Sequence, residues 1–343
     1  MTTDTQNLDI PVITDYLSDH LPGFAGPLSV SKFQQGQSNP TFLLSTPTKR
    51  FVLRRKPPGQ LLKSAHAVDR EYRVQKALAD SDVPVAAMHH LCEDDSIIGS
   101  MFYIMDHVDG RNFNLPSLPE LTSTGRGEVI REMNRVLAAL HDIDIEARGL
   151  SDYGPPGNYF ERQIGRWTKQ YRASETEKLP AMDRLIDALN DQIPADDGQR
   201  TLVHGDYRID NMIFAKDGTN CLAVLDWELS TIGHPYADLA AVIMQWQMPA
   251  GPEGRGLEGI DRATRGLPSD SDFVAQYCDR RGIPEIENFG FYLSFCFFRM
   301  AAIIQGVRKR GLTGNASNPE RAIKIGEKVP LFAQRGLEAL EQA

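Results

Sequence analysis

His204-Gly205-Asp206-Tyr207-Arg208-Ile209-Asp210-Asn211 is a polar loop set between two short apolar runs, Thr201 to Val203 and Leu222 to Leu225. Ala223-Val224-Leu225 reads as a strand that carries Asp226 at its end, fifteen residues after Asn211. Asp217-Gly218 is a good two-residue turn, so a hairpin between Ile213 and Leu225 brings Asn211 and Asp226 together. One carboxylate inside the loop, an amide at its end and a second carboxylate on a strand end make a set of oxygen donors on rigid backbone.

That set suits phosphoryl transfer. A carboxylate must orient the attacking hydroxyl and accept its proton, and oxygen ligands must hold Mg²⁺ against the phosphates. Asp206 and Asn211 stand five apart, as in the kinase catalytic-loop pattern H-x-D-x-x-x-x-N. Asp226 is then the second place for a Mg²⁺ ligand.

Working outward, residues from about Leu28 to His107 read as β-rich with one helix. Phe42 to Leu44 and Phe51 to Leu53 flank Thr46-Pro47-Thr48-Lys49, a hairpin signal. Ala67 to Leu78 has helical periodicity, and Met101 to Met105 is another short apolar run. The turn-rich Asp106-His107-Val108-Asp109-Gly110 that follows is the candidate hinge. Beyond it helices dominate: Glu128 to His141, Asn158 to Tyr171, Ala181 to Leu189, Asp238 to Met248, Ser269 to Arg281, Ile286 to Gln305 and Pro319 to Glu341. The expected class is therefore α+β, with a small β-rich lobe at 1–105, a hinge at 106–110 and a mainly helical lobe at 111–343.

The 343 residues exceed what one core usually organises, and 41% hydrophobic with 24% charged residues is ordinary for a globular protein. A net charge of -9 argues against a broad nucleic-acid surface. The four cysteines form no C-x-x-C pair and no zinc spacing, which fits reduced thiols and a cytoplasmic setting. Met1 to Ile10 has no apolar stretch of a signal peptide, and Phe291 to Val307 reads as a buried helix, too short and polar to span a bilayer. No membrane partner is expected; oligomeric state is not legible.

Further segments carry a resemblance. Gly233-His234-Pro235-x-x-Asp238-Leu239 follows the two acidic motifs, and Gly36-Gln37-Ser38-Asn39-Pro40-Thr41, Arg54-Arg55-Lys56-Pro57-Pro58-Gly59, His66 and Glu71 precede them. With His204-Gly205-Asp206-x-x-x-x-Asn211 and Leu225-Asp226-Trp227-Glu228, the chain resembles the aminoglycoside phosphotransferase and choline kinase-like family. Within it the chain is similar to the kinase-like domain fused to some acyl-CoA dehydrogenases. The resemblance covers roughly Val30 to Arg310.

It implies a two-lobed, protein-kinase-like fold and an ATP- and Mg-dependent phosphotransferase acting on an alcohol group of a small molecule. Asp206 would be the catalytic base, and Asn211 and Asp226 the metal ligands. Gly36, Gln37, Ser38 and Asn39 would form the loop over the phosphates. Arg54 would stand where a phosphate-binding lysine is usual, with Glu71 as its helix partner. Val52, on the same strand face as Arg54, would line the adenine pocket, and the Asp106 to Val108 backbone would bond the base. Asp238 would brace the catalytic loop. A hydroxylated acyl-CoA or hydroxy acid is favoured over an aminoglycoside as acceptor.

Other readings stay open at this point. Arg54 in place of lysine and a loop with one glycine, Gly36, allow a nucleotide-binding pseudokinase or regulatory module; a scaffold on the same fold is a third possibility. Arg54 and Glu71 have a plain surface ion pair as their lesser alternative. Arg208 and Asp210 fit either phosphate contact or loop stabilisation. The stripe Phe291, Tyr292, Phe295 and Phe298, and Tyr159, Phe160 and Trp167, fit either core or acceptor site, and Trp227 fits core. Arg299, Arg308, Lys309 and Arg310 suit either CoA phosphates or a solvated helix end. Gly254-x-Gly256-x-x-Gly259 has no preceding strand and reads as a loop.

Overall fold

The structure, a computed structural model, describes residues 8–33, 39–57 and 67–341. Two compact units emerge. The first holds the described residues up to Asn114, with Glu146–Leu150 and Ile209–Ser230; the second holds Leu115–Ile145, Ser151–Arg208 and the residues from Thr231 on.

The first unit is built on a five-stranded antiparallel sheet of β1 (Ser29–Lys32), β2 (Thr41–Ser45), β3 (Arg50–Arg55), β4 (Met88–Cys92) and β5 (Phe102–Asp106), ordered β1-β2-β3-β5-β4. The β2–β3 hairpin closes where its turn residues lie: the Lys49 amide donates to the Thr46 hydroxyl at 3.0 Å. Register sets Arg54 opposite Thr41 on one side and Tyr103 on the other. One face of the sheet buries Phe42, Leu44, Phe51, Leu53, Phe102 and Ile104 against Ile13 and Leu17 of α1 (Ile10–His20). That helix was not anticipated, because only two of its side chains are fully buried and the surrounding segment is polar. α2 (Val68–Ala77) turns Val68, Glu71, Val74 and Gln75 inward, a three- to four-residue rhythm.

A second sheet joins β6 (Arg111–Asn112), β8 (Met212–Phe214) and β9 (Cys221–Val224) in the order β6-β8-β9. It is why 209–230 belongs to this unit, which differs from the boundary read at 111. The Val224 amide donates to the Pro84 carbonyl at 2.8 Å, and Asn112 Nδ2 to the carbonyls of Asp210 and Met212 at 2.7 and 2.9 Å. Gly110 is obligatory where the strands meet: a Cβ there would fall 2.4 Å from both Ile213 Cγ2 and the Phe214 carbonyl oxygen.

The second unit is mainly helical: α3 (Ser123–His141), α4 (Tyr159–Ser174), α5 (Pro180–Asp191), α6 (Tyr236–Trp246), α7 (Arg262–Arg265), α8 (Asp270–Arg281), α9 (Phe289–Leu312), α10 (Pro319–Gly326) and α11 (Val329–Glu341). β7 (Thr201–Val203) pairs antiparallel with β10 (Thr231–Gly233). α9 packs against α4, α5, α6, α10 and α11 and is the axis of this core. Its Phe291, Tyr292, Phe295 and Phe298 are buried, as are Tyr159 and Phe160, so the aromatic stripe is core. α9 runs longer than the apolar run suggested. By length and composition it could cross a membrane, but 72% of its most apolar window is buried inside the protein. The single helix read over Pro319 to Glu341 is two, broken before α11, whose second residue is Pro330; a proline there has no amide to continue the preceding helix.

Candidate active site

β3 delivers the central cation. Arg54 Nη2 donates to Asp226 Oδ1 at 2.9 Å and lies 3.7 Å from Glu228 Oε2, and Arg54 Nε sits 2.8 Å from Glu71 Oε2 as an ion contact without hydrogen-bond alignment. The Arg54 and Glu71 side chains are only 14% and 2% exposed, which rules out a solvated surface pair. Burial opposes the charge on Arg54, but Glu71, Tyr103, Asp226 and Glu228 more than offset it and raise its pKa above the ordinary value. Burial pushes Glu71 up, against the pull of Arg54 and the Tyr103 hydroxyl. Glu71 is held on both oxygens: Asn39 Nδ2 donates to Oε1 at 2.7 Å and the Tyr103 hydroxyl to Oε2 at 3.1 Å.

A cavity of about 380 Å³ in this unit is lined by Val52, Arg54, Glu71, Asp106, Val108, Asn211 and Asp226, with Asp210 and Met105 among their neighbours. That is the size of a small-molecule site. Asn211 and Asp226 are brought together as expected: the Leu225 amide donates to the Asn211 carbonyl at 2.7 Å, beside the Met212–Val224 pair of the hairpin. Asp226 itself is left-handed, φ 65° and ψ 57°, an uncommon conformation for a residue other than glycine and one that recurs at functional sites. Trp227 is core, with its indole N–H on the Val224 carbonyl at 2.9 Å.

In the segment read as a hinge, the Asp106 carboxylate is committed to Lys49 Nζ at 2.8 Å and His89 Nε2 at 2.7 Å. Burial works against it, and these partners hold its pKa below the ordinary carboxylate value. Its amide is also spent, on the Ala87 carbonyl at 2.9 Å. Of the expected phosphate loop, Gly36, Gln37 and Ser38 lie outside the described residues, as does His66. Asn39 is described and buried, and its amide group braces Glu71 instead of facing the cavity.

Asp206 stands in the helical unit, on a loop fixed from several sides. The His204 and Gly205 amides donate to Asp238 Oδ2 and Oδ1 at 2.6 and 2.9 Å, so Asp238 is the expected brace. Arg299 Nη2 donates to the Gly205 carbonyl at 2.7 Å. Gly205 has φ +82°, which explains glycine before the acid. The Asp206 amide donates to His204 Nδ1 at 3.2 Å, and Arg208 Nε lies 3.1 Å from Asp206 Oδ1. Behind the loop, fully buried His141 places Nε2 3.5 Å from Asp238 and shares a 2.7 Å hydrogen bond with Tyr277, which accepts from Arg281 at 2.8 Å. Burial lowers the pKa of His141; burial raises that of Asp238, but His141, His204 and the loop amide bring it below the ordinary value.

Sequence reasoning missed Tyr103, His141 and the clamp role of Arg299. Tyr103 was findable, since pairing of the two strands puts it directly across from Arg54. Of the other C-terminal cations, Arg308 pairs with Glu177 and Lys309 Nζ donates to the Ala173 carbonyl at 2.7 Å.

Among the described residues no three His, Cys, Asp or Glu side chains converge as a ready-made metal cluster. The donors present, an amide and a carboxylate on one cavity wall, fit a Mg²⁺ that completes its shell with phosphate oxygens and water.

An antiparallel sheet bearing a buried Arg–Glu pair, a left-handed aspartate on the adjoining hairpin and a braced H-G-D loop define a kinase-like phosphotransferase. The phosphotransferase enzyme family is matched over residues 29–269, and the chain belongs to it. A crystal structure of a Ralstonia eutropha JMP134 protein, assigned as an aminoglycoside phosphotransferase, superposes with a TM-score of 0.91 at 47% identity, covering 98% of this chain and 99% of that one. Spectinomycin phosphotransferase, solved with ADP and spectinomycin, shares the fold at a TM-score of 0.63 and 13% identity, over 95% of this chain and 98% of its own. Mouse acyl-CoA dehydrogenase family member 10 is 46% identical over 310 residues, 89% of this chain but 29% of that protein. This chain thus spans well under half the length of such curated relatives.

Proposed function

We propose that this protein is an ATP- and Mg²⁺-dependent kinase that phosphorylates a hydroxyl of a small molecule. The observation that carries the reading is the convergence of Arg54, Asn211 and Asp226 on one cavity that Val52 and Met105 also line with apolar surface. In this reading Val52 packs the adenine, and the hinge backbone at Asp106 to Val108 bonds its edge. Because the Asp106 amide is occupied, the Val108 amide is the natural donor. Gly36, Gln37, Ser38 and Asn39 remain the proposed phosphate loop, Asn39 through its backbone. Arg54, held by Glu71, grips phosphate. Asn211 and Asp226 would hold Mg²⁺, which supplies charge neutralisation across the phosphate oxygens. Asp206 orients the acceptor hydroxyl and takes its proton, while Asp238 and Arg299 keep the loop in place.

A hydroxylated acyl-CoA or hydroxy acid is the favoured acceptor. The support is that this chain matches part of longer proteins named acyl-CoA dehydrogenase family members 10 and 11. The pairing of Arg308 and Lys309 within the helical unit leaves Arg310 as the more exposed cation for such a ligand.

Thermal shift with ATP, with and without Mg²⁺, on wild type and Asp226→Ala tests the site. A Mg²⁺-enhanced rise in melting temperature that the variant loses is expected. Asp206→Ala should then cut turnover on a screened acceptor by about three orders of magnitude or more while retaining ATP binding. Nucleotide binding without turnover on any hydroxyl compound would favour a pseudokinase, and no shift at saturating ATP would sink both readings.

A further inference from the structure

The carboxylate proposed to hold the metal is already held by a cation. Arg54 Nη2 hydrogen-bonds Asp226 Oδ1 at 2.9 Å, and Glu228 Oε2 stands 3.7 Å from the same nitrogen. A Mg²⁺ ion would seek a carboxylate oxygen at roughly 2.0–2.1 Å. Oδ1 lies on the guanidinium, so bare metal would meet a fixed positive charge at its ligand. The other end of the guanidinium has a different environment. Nε faces Glu71, whose two oxygens accept from the side chains of Asn39 and of Tyr103 on β5. Arg54 therefore keeps an ion contact with Glu71 at Nε, with Nη2 turned to the anions at the cavity.

We propose that Arg54 is the resident counter-cation of Asp226 and a determinant of what the site accepts: it excludes a divalent cation arriving alone and admits one arriving with a nucleotide. Polyphosphate oxygens give the Nη atoms a second anion to bond, which releases Oδ1 to the metal while Nε stays on Glu71. A forked guanidinium can serve two anions from separate nitrogens, whereas a lysine ammonium is a single point charge. Arginine at the lysine position thereby acquires a function of its own. The inference rests on the reading of Asp226 as a metal ligand.

The test is Mn²⁺ binding to the full chain without nucleotide, read from the spin-resonance signal of free Mn²⁺. Wild type, Arg54→Gln, Arg54→Lys and the double variant Arg54→Gln/Asp226→Asn are compared, alongside a Mg·ATP thermal shift of wild type. Arg54→Gln is expected to bind Mn²⁺ at least tenfold tighter than wild type, and the double variant to lose that gain. Arg54→Lys, which keeps a charge beside Glu71 and guards against a misfolded glutamine variant, should tighten Mn²⁺ by a smaller factor. Equal Mn²⁺ affinities in wild type and both folded single variants, with a normal Mg·ATP shift, would overturn the inference and leave the kinase reading standing. Absence of both the Mg·ATP shift and any Mn²⁺ uptake would overturn the two together.

Discussion

Gly205 is a single residue gripped on both sides, with its amide on Asp238 and its carbonyl on Arg299. Arg299 comes from the long core helix and holds the Gly205 carbonyl next to Asp206, so it acts on Asp206 as a positioning residue. Removing one clamp should misplace the acid rather than the nucleotide. Arg299→Met is expected to lower kcat roughly tenfold to a hundredfold with little change in KM for ATP, as a small displacement of a catalytic group does. Partial rescue by Arg299→Lys would mark the carbonyl hydrogen bond as the cause; an unchanged kcat would show that the clamp is dispensable. At this scale the sequence displayed Asp206, Asn211 and Asp226 by spacing alone. It hid what holds them, since Tyr103, His141 and Arg299 approach from strands and helices far away in the chain. Asn39 shows the converse: a residue placed in a phosphate loop by resemblance spends its side chain on Glu71.

Local signals read well at the scale of the element wherever the chain carried its own punctuation. The β2–β3 hairpin, α2, α3 and the Asn211–Asp226 hairpin all lie where turn residues and periodicity placed them. α1, the short β6 and β10, and the break before α11 did not announce themselves, because two- or three-residue strands and half-buried helices leave little pattern. α8 is the best-marked helix: the Ser269 hydroxyl accepts from the Asp272 amide at 3.0 Å, and the Asp272 carboxylate accepts from the Ser269 amide at 3.1 Å. Ser269→Ala should therefore destabilise the protein by about 1 kcal/mol, measured by urea unfolding. A loss near zero would mean that α8 is held by Phe273 and Tyr277 in the core regardless of its cap.

Protonation reads the whole molecule at once. Burial lowers the pKa of His90 and His107 in the sheet unit and of His141 and His234 in the helical unit from the ordinary 6.5. Unfolding lets each take up a proton more readily, so the unfolded state binds more protons just below pH 6.5. The stability these neutral histidines contribute is complete above that pH and is lost as pH falls through their lower folded values. His141 is the most enclosed, facing Asp238, Tyr277 and the Arg281–Asp142 pair. The depressed Asp238 acts in a separate window, below its ordinary 3.8. Melting temperature should change little from pH 7.5 to about 6.5 and fall from there to 5.5, and a flat profile below 6.5 would show that these rings gain compensating partners on protonation.

The weave of the chain has a consequence for how the protein is made. The sheet unit borrows Ile209–Ser230 from beyond α3, α4 and α5 of the helical unit, and with it both proposed metal ligands and the strand that covers Gly110. A ribosome that has released everything up to Asn114 has delivered the sheet, yet neither Asn211 nor Asp226. Arg54 has Glu71 from the start but must wait for Asp226 and Glu228 until the hairpin emerges some hundred residues later. The proposed nucleotide site is thus among the later features a nascent chain acquires, and no cut after Asn114 would yield a fragment that carries it.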